Sequence, residues 1–136
     1  MITNYFLNGM ADDVFHVTPD ITNIPTSYYI GLLTASPTVS GTNVKEPTGG
    51  NYSRKLISAF IEDSTTEGAV RNKEQITFPE STASWGKITY IGIFDSITEG
   101  NLLMYEPLSS SRTVEAYTTF TFQAGSIKIS LQNPTT

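Results

Sequence analysis

The sequence predicts an all-β fold: an antiparallel sandwich of about seven or eight short strands with one short N-terminal α-helix. Three observations carry that expectation. Charged residues make up only 15% of the chain while Thr and Ser are abundant, the reverse of a helical bundle with its Glu-, Lys- and Arg-rich surface. Short apolar runs rich in Ile, Tyr and Phe recur between Gly- and Pro-containing connections, which is the punctuation of strands and turns. Helical periodicity is confined to the start of the chain.

The strongest β signal is the stretch WGKITYIGIFDSITEGNLLMYEPL, residues 85–108. Its two apolar runs, 88–94 and 102–108, are joined by a polar loop ending in Glu99-Gly100-Asn101, and together they read as a β-hairpin. Strict alternation puts Ile88, Tyr90, Gly92 and Phe94 on one face and Thr89, Ile91, Ile93 and Asp95 on the other. With both faces largely apolar, the first run suits a central strand covered on both sides.

In chain order, residues 2–15 form the expected helix. Phe6, Met10 and Val14 recur at spacing four, with Leu7, Ala11 and Phe15 on the next row. Thr3 or Asn4 can cap its start, whereas Asp12 and Asp13 oppose the helix dipole at its end. Phe6, Leu7, Met10 and Val14 are therefore candidate assembly contacts, the alternative being that the stripe only covers an open end of the β core. Residues 16–27, with Pro19 and Pro25, read as an irregular connector. A strand follows at 28–34, then a long Pro/Gly/Thr/Ser loop at 35–51, of a length that is usually functional or mobile. Residues 52–62 read as one strand, 63–74 as a polar link with a short β pair near Ala69-Val70, and 75–78 as a strand stopped by Pro79. Residues 107–115, PLSSSRTVE, read as a second loop. The last hairpin is expected to pair 117–123 with 126–131 across Ala124-Gly125. Its alternation turns Phe120, Phe122, Ile127, Ile129 and Leu131 inward and Thr119, Thr121, Lys128 and Ser130 outward. The predicted organisation is a helix at 1–15, a β-sandwich domain at 16–131 and a polar, flexible tail at 132–136.

Composition excludes several classes of function. A net charge of −5 disfavours nucleic-acid binding through a basic surface. With no cysteine there is no disulfide, thiolate nucleophile or Cys-based zinc site. No apolar run approaches the roughly 20 residues needed to span a membrane. The start, MITNYFLNGMADD, lacks the basic region of a signal peptide, so synthesis in the cytoplasm as a soluble chain is expected.

Motifs for chemistry are sparse. His16 is the only histidine; beside Asp12 and Asp13 it suggests at most a weak divalent site, and a polar residue at a helix boundary is the plainer reading. Glu62, Asp63 and Glu67 cluster in a polar loop, but a glycosidase needs two carboxylates facing across a cleft, which adjacency does not supply. Ser109-Ser110-Ser111 has no Gly-x-Ser-x-Gly context, and Gly49-Gly50-Asn51 lacks the lysine of a phosphate loop and reads as a turn. Trp85, Tyr28, Tyr29, Tyr52 and Tyr105 would make a sugar-stacking platform only if several lay exposed on one face. The reading is of a protein that is not an enzyme and needs no cofactor or metal.

The order of pieces carries a resemblance. A short helix precedes YYIGLLTASP at 28–37; GGNYSRK follows at 49–55, then ITFP at 76–79 and WGKITYIGIFD at 85–95. GNLL at 100–103 and FTFQAGSI at 120–127 complete the series. Together these resemble a family of small tail proteins from bacteriophage and prophage structural clusters, labelled tail fibre or tail fibre-like, over nearly the whole chain. The resemblance implies a virion structural component made in the bacterial host and located in the tail, without catalysis. Its implied partners are other tail or baseplate proteins and its own copies in a cyclic homo-oligomer, with no nucleic acid and no membrane insertion. It carries no set of binding residues. The helix and the loops 35–51 and 107–115 are the candidate contact surfaces. A carbohydrate-binding adhesin recognising a cell-surface glycan is the alternative.

Overall fold

The computed structural model describes residues 1–18 and 23–131; Pro19 of the expected connector and the expected tail at 132–136 lie outside them. One helix, α1 (Asn4–Phe15), precedes the strands β1 (Tyr29–Leu33), β2 (Lys55–Leu56), β3 (Phe60–Glu62), β4 (Ala69–Asn72) and β5 (Ile76–Thr77). There follow β6 (Gly86–Phe94), β7 (Leu102–Val114), β8 (Thr121–Phe122) and β9 (Lys128–Ser130). Three antiparallel sheets result, ordered β2-β1-β6-β7, β3-β4-β9 and β5-β8. The all-β sandwich with a short N-terminal helix is thus the observed fold.

The predicted hairpin is the β6–β7 pair, and it sits in the largest sheet with β6 between β1 and β7. This sheet is covered on both faces. On one side Ile30, Leu32, Ile88, Ile93 and Leu103 join the main core with Phe78, Trp85, Phe120 and Ile127. On the other, Leu33, Phe94, Leu102 and Tyr105 pack with Tyr29, Val44 and Tyr90. Strict alternation along β6 fails at one point. Ile88 belongs to the main core, whereas Tyr90 and Phe94 face the second cluster. The register jumps there from Ile88↔Arg112 to Tyr90↔Pro107, a bulge that turns the strand by one face.

Three further expectations are corrected. Residues 52–62 are not one strand: Lys55-Leu56 pairs with β1 and Phe60–Glu62 with β4, so the chain crosses from one sheet to another between them, as strands do at a sandwich corner. Residues 107–115 are not a loop, because β7 continues to Val114. The last two strands do not pair with each other; β8 pairs with β5 and β9 with β4. Their facing is nevertheless close to that expected, with Phe120 and Ile127 buried and Lys128 exposed, although Leu131 is exposed rather than inward.

Candidate assembly surfaces

The N-terminal segment is held by backbone and side chain together. Thr3 N–H donates to Leu103 O (2.9 Å) and Tyr105 N–H to Met1 O (3.0 Å), with Ile2 opposite Met104, so residues 1–3 cover the start of the open β7 edge. Thr3 then caps α1: its hydroxyl accepts from Phe6 N–H (3.4 Å) and donates to Leu102 O (2.8 Å). At the other end His16 takes a left-handed conformation (φ 53°, ψ 45°) and stops the helix.

The four residues expected as contacts divide between two faces. Phe6 is buried and Met10 half-buried against the core, while Leu7 and Val14 are 46% and 61% exposed. Val14 does not continue the inward stripe, because Asp13 takes that position. Its carboxylate is buried and accepts from Asn23 N–H (2.9 Å), Ile24 N–H (2.7 Å) and the Asn23 side-chain amide (2.8 Å). The exposed side of the helix carries an apolar row as well: Leu7, Ala11, Val14 and Phe15, the last 77% exposed, with exposed Asn4 and Asn8 beside them and Val17 beyond the helix end.

The loop 35–51 is largely exposed from 38 to 43 but is pinned both at that tip turn and nearer its base. Val39 O accepts from Asn4 N–H (2.8 Å) and Lys45 O from Thr34 N–H (2.8 Å). Glu46 accepts from the Tyr52 hydroxyl (2.5 Å) and pairs with Arg54 (2.7 Å). Buried Arg54 also donates to Ser96 O (2.8 Å) and Glu99 O (2.7 Å) and lies 3.6 Å above the Phe94 ring. Burial and the neighbouring Glu46 carboxylate push the Tyr52 phenol well above the usual tyrosine range. Glycine at position 31 makes room for this cluster, since a Cβ there would come within 3.0 Å of Glu46 Oε2 and the Tyr52 hydroxyl. The Gly-Gly-x-Tyr-Ser-Arg and Tyr-Ile-Gly-Leu-Leu motifs thus meet in one place, and their work there is scaffolding.

The chemistry-bearing candidates are placed as follows. His16 is exposed; Asp12 accepts from Thr18 N–H (3.0 Å) and the Asn23 amide (2.6 Å). Among the described residues no group of three or more His, Cys, Asp or Glu is arranged to hold a metal ion. Asp63 receives the Thr65 hydroxyl (2.6 Å) and N–H (2.7 Å), with Arg71 at 2.9 Å and Lys128 at 3.4 Å. These bonds, those from Thr65 first, hold its carboxyl well below the usual range. Glu62 and Glu67 are exposed. Gly49-Gly50-Asn51 is the expected turn, closed by Tyr52 N–H to Gly49 O (3.0 Å). The five aromatic residues form no exposed row: Trp85 and Tyr105 are buried, the Tyr52 hydroxyl points inward to Glu46, Tyr28 packs edge-on to Phe60, and Tyr29 is half-buried against the second cluster.

Two of the concave regions lie beside the elements just described. An apolar groove of about 350 Å³ lies between α1 and the β3-β4-β9 sheet, lined by Phe6, Met10, Tyr28, Phe60, Val70 and Ile129. A more polar one of about 770 Å³ lies between β7 and the β8–β9 segment, with Ser109, Arg112, Gln123 and Lys128 on its walls.

The sequence matches the Gp80 family, described as podophage GP4 fiber I protein gp80, over residues 1–130. The chain belongs to this family. The Gp80 match spans α1 and every strand from β1 to the end of β9. Membership makes this a fibre-family protein of a phage tail and points to a structural role. No curated protein matches the sequence. Among the described residues no helix is long and apolar enough to cross a membrane.

Proposed function

We propose that the chain is a structural subunit of a phage tail fibre that works by protein–protein assembly, contacting other tail or baseplate proteins and its own copies around a symmetry axis. The observation that carries this reading is the exposed apolar row of α1, displayed on a fold that matches a fibre family over residues 1–130. Large apolar side chains grouped on one exposed face mark interaction surfaces. Leu7 and Val14 are then direct contacts, and Phe6 and Met10 serve by fixing the helix to the domain. The protein is made in the bacterial host cytoplasm and ends in the virion tail.

The test is immunogold electron microscopy of phage particles with antibody raised against the purified chain. Gold at one fixed place on the tail is expected and also reports the position. Unlabelled tails, with the protein found only in the soluble fraction, would sink the reading. The glycan-binding alternative has no exposed row among the aromatic residues expected to stack on sugars, and its one support is the open polar groove beside β7. Retention of the purified chain on immobilised host surface glycans is its test.

A further inference from the structure

We propose that the groove between β7 and the β8–β9 segment binds a saccharide bearing a carboxylate or phosphate, with the Arg112 guanidinium as the partner of that anion. The proposal is independent of the assembly reading, and it gives the groove a ligand class and a binding residue.

Arg112 is the first argument. Of the three arginines, Arg54 is held by Glu46 and two carbonyls, and Arg71 by Asp63 and Gly125 O. Among the described residues the Arg112 guanidinium has no carboxylate or carbonyl partner; it lies 4.9 Å from the centre of the Phe120 ring. Phe120 is buried and Arg112 exposed. A guanidinium laid on an aromatic ring is restrained in direction while its N–H edge stays free for a bidentate anion.

The backbone of β7 is the second argument. Between the pairs Ile88↔Arg112 and Tyr90↔Pro107, residues 108–111 stand opposite Thr89 alone. Such a bulge re-aims side chains, and here it sets exposed Ser109 and Ser110 on the same groove as Arg112. Their hydroxyls and the Gln123 side-chain amide have no protein partner among the described residues, so donors and acceptors are both free for a hydroxyl-rich ligand. Leu108, Phe122 and Ile127 add apolar surface, and the volume of about 770 Å³ suits a small-molecule site. An extended peptide fits less well, because strand addition needs a regular ladder. Pro107 has no N–H, and the bulge breaks the register.

Charge is the third argument. Among the described residues lining the groove, Glu106, Arg112 and Lys128 are the charged ones. Glu106 is paired with the Met1 ammonium (2.6 Å), and Lys128 with Asp63 (3.4 Å). The charge left for a ligand is that of Arg112. The net −5 of the chain opposes anions only weakly, since charges beyond about 8–10 Å are largely screened at physiological ionic strength. One exposed ion pair contributes little, so a Kd on the order of 1 mM is expected for a short ligand.

The test is a chemical-shift titration of the ¹⁵N-labelled full chain. The probes are trigalacturonate against neutral galactotriose, glucose 6-phosphate against glucose, and the peptide triglutamate. Trigalacturonate or glucose 6-phosphate should shift residues 106–112 and 120–128, and whichever binds more tightly identifies the preferred anion. Arg112→Gln, first checked by thermal melting, should weaken that binding roughly tenfold. Raising salt from about 50 to about 500 mM should weaken the parent chain's binding several-fold, a measurement that needs no variant. Equal binding of the neutral sugars, indifference to salt, or unchanged affinity in a folded Arg112→Gln overturns the role of Arg112. Triglutamate binding as tightly as trigalacturonate overturns the saccharide in favour of an acidic peptide. Absence of shifts in the groove up to about 20 mM of every probe overturns the site itself.

Discussion

At the scale of single residues, the side chains of the Gly-Gly-x-Tyr-Ser-Arg, Tyr-Ile-Gly-Leu-Leu and Trp-Gly segments are mostly occupied with one another. Gly50 shows how. Its φ is +60°, its carbonyl accepts from Trp85 Nε1 (2.8 Å), and a Cβ would sit 3.0 Å from that indole. Gly50→Ala should therefore lose about 1–2 kcal/mol from the left-handed backbone alone, with displacement of Trp85 adding to it. Urea denaturation followed by the emission of Trp85, the single tryptophan, measures both effects. Asp63 gives a pH prediction. A carboxyl whose folded pKa is depressed stabilises the fold above its unfolded value, and that stability drains away as pH falls below the ordinary Asp value of about 3.9. Thr65, Arg71 and Lys128 depress Asp63 in this way. Asp63→Asn should flatten the fall in melting temperature between about pH 4 and pH 2; an unchanged slope would mean that other carboxylates govern acid unfolding.

Among the elements, α1 has two apolar rows and one strong anchor. The buried Thr3 hydroxyl accepts from Phe6 N–H and shares its one proton between Leu102 O and Leu103 O. Thr3→Val keeps the shape and removes these bonds, so a loss of about 1–2 kcal/mol is expected by chemical denaturation. A loss confined to a few tenths would show the cap to be dispensable. Apolar periodicity was enough to find this helix. It did not reveal which of the two apolar rows faces the core, because that depends on Asp13 meeting the backbone of residues 23 and 24, which are distant in sequence. The extended state of residues 107–114 was also hidden. An exposed edge strand with polar residues on both faces has no alternation to read, and Ser109-Ser110-Ser111 looks like loop until β6 is placed beside it.

Taken whole, the molecule is a sandwich whose largest sheet is packed on both sides, with the N-terminal segment closing part of its β7 edge. Removing residues 1–15 would strip the β7 edge groups at Leu103 and Tyr105 of their partners and uncover the core under Phe6. Such a truncation is expected to lower the melting temperature by several degrees and to promote aggregation through the opened edge, with light scattering on heating as the readout. A truncated chain that melted like the parent and stayed soluble would show the helix to be an appendage. For this reason substitutions at Leu7 and Val14 are the cleaner probe of assembly: they alter the outward face and leave the inward one in place.

The sequence alone determined the fold class, the central hairpin, the helix, the long loop at 35–51 and the fibre resemblance. These depend on local properties: residue composition, period two against period three to four, and glycine and proline as punctuation. Tertiary structure alone decided which strands pair, where residues 52–62 change sheet, the face reversal after Ile88, and which side of α1 stays exposed. Strand partners are chosen by contacts between segments far apart in sequence, as when β4 takes β9 and β5 takes β8. Alternation fixes which way a side chain points but carries no record of the strand it will lie beside.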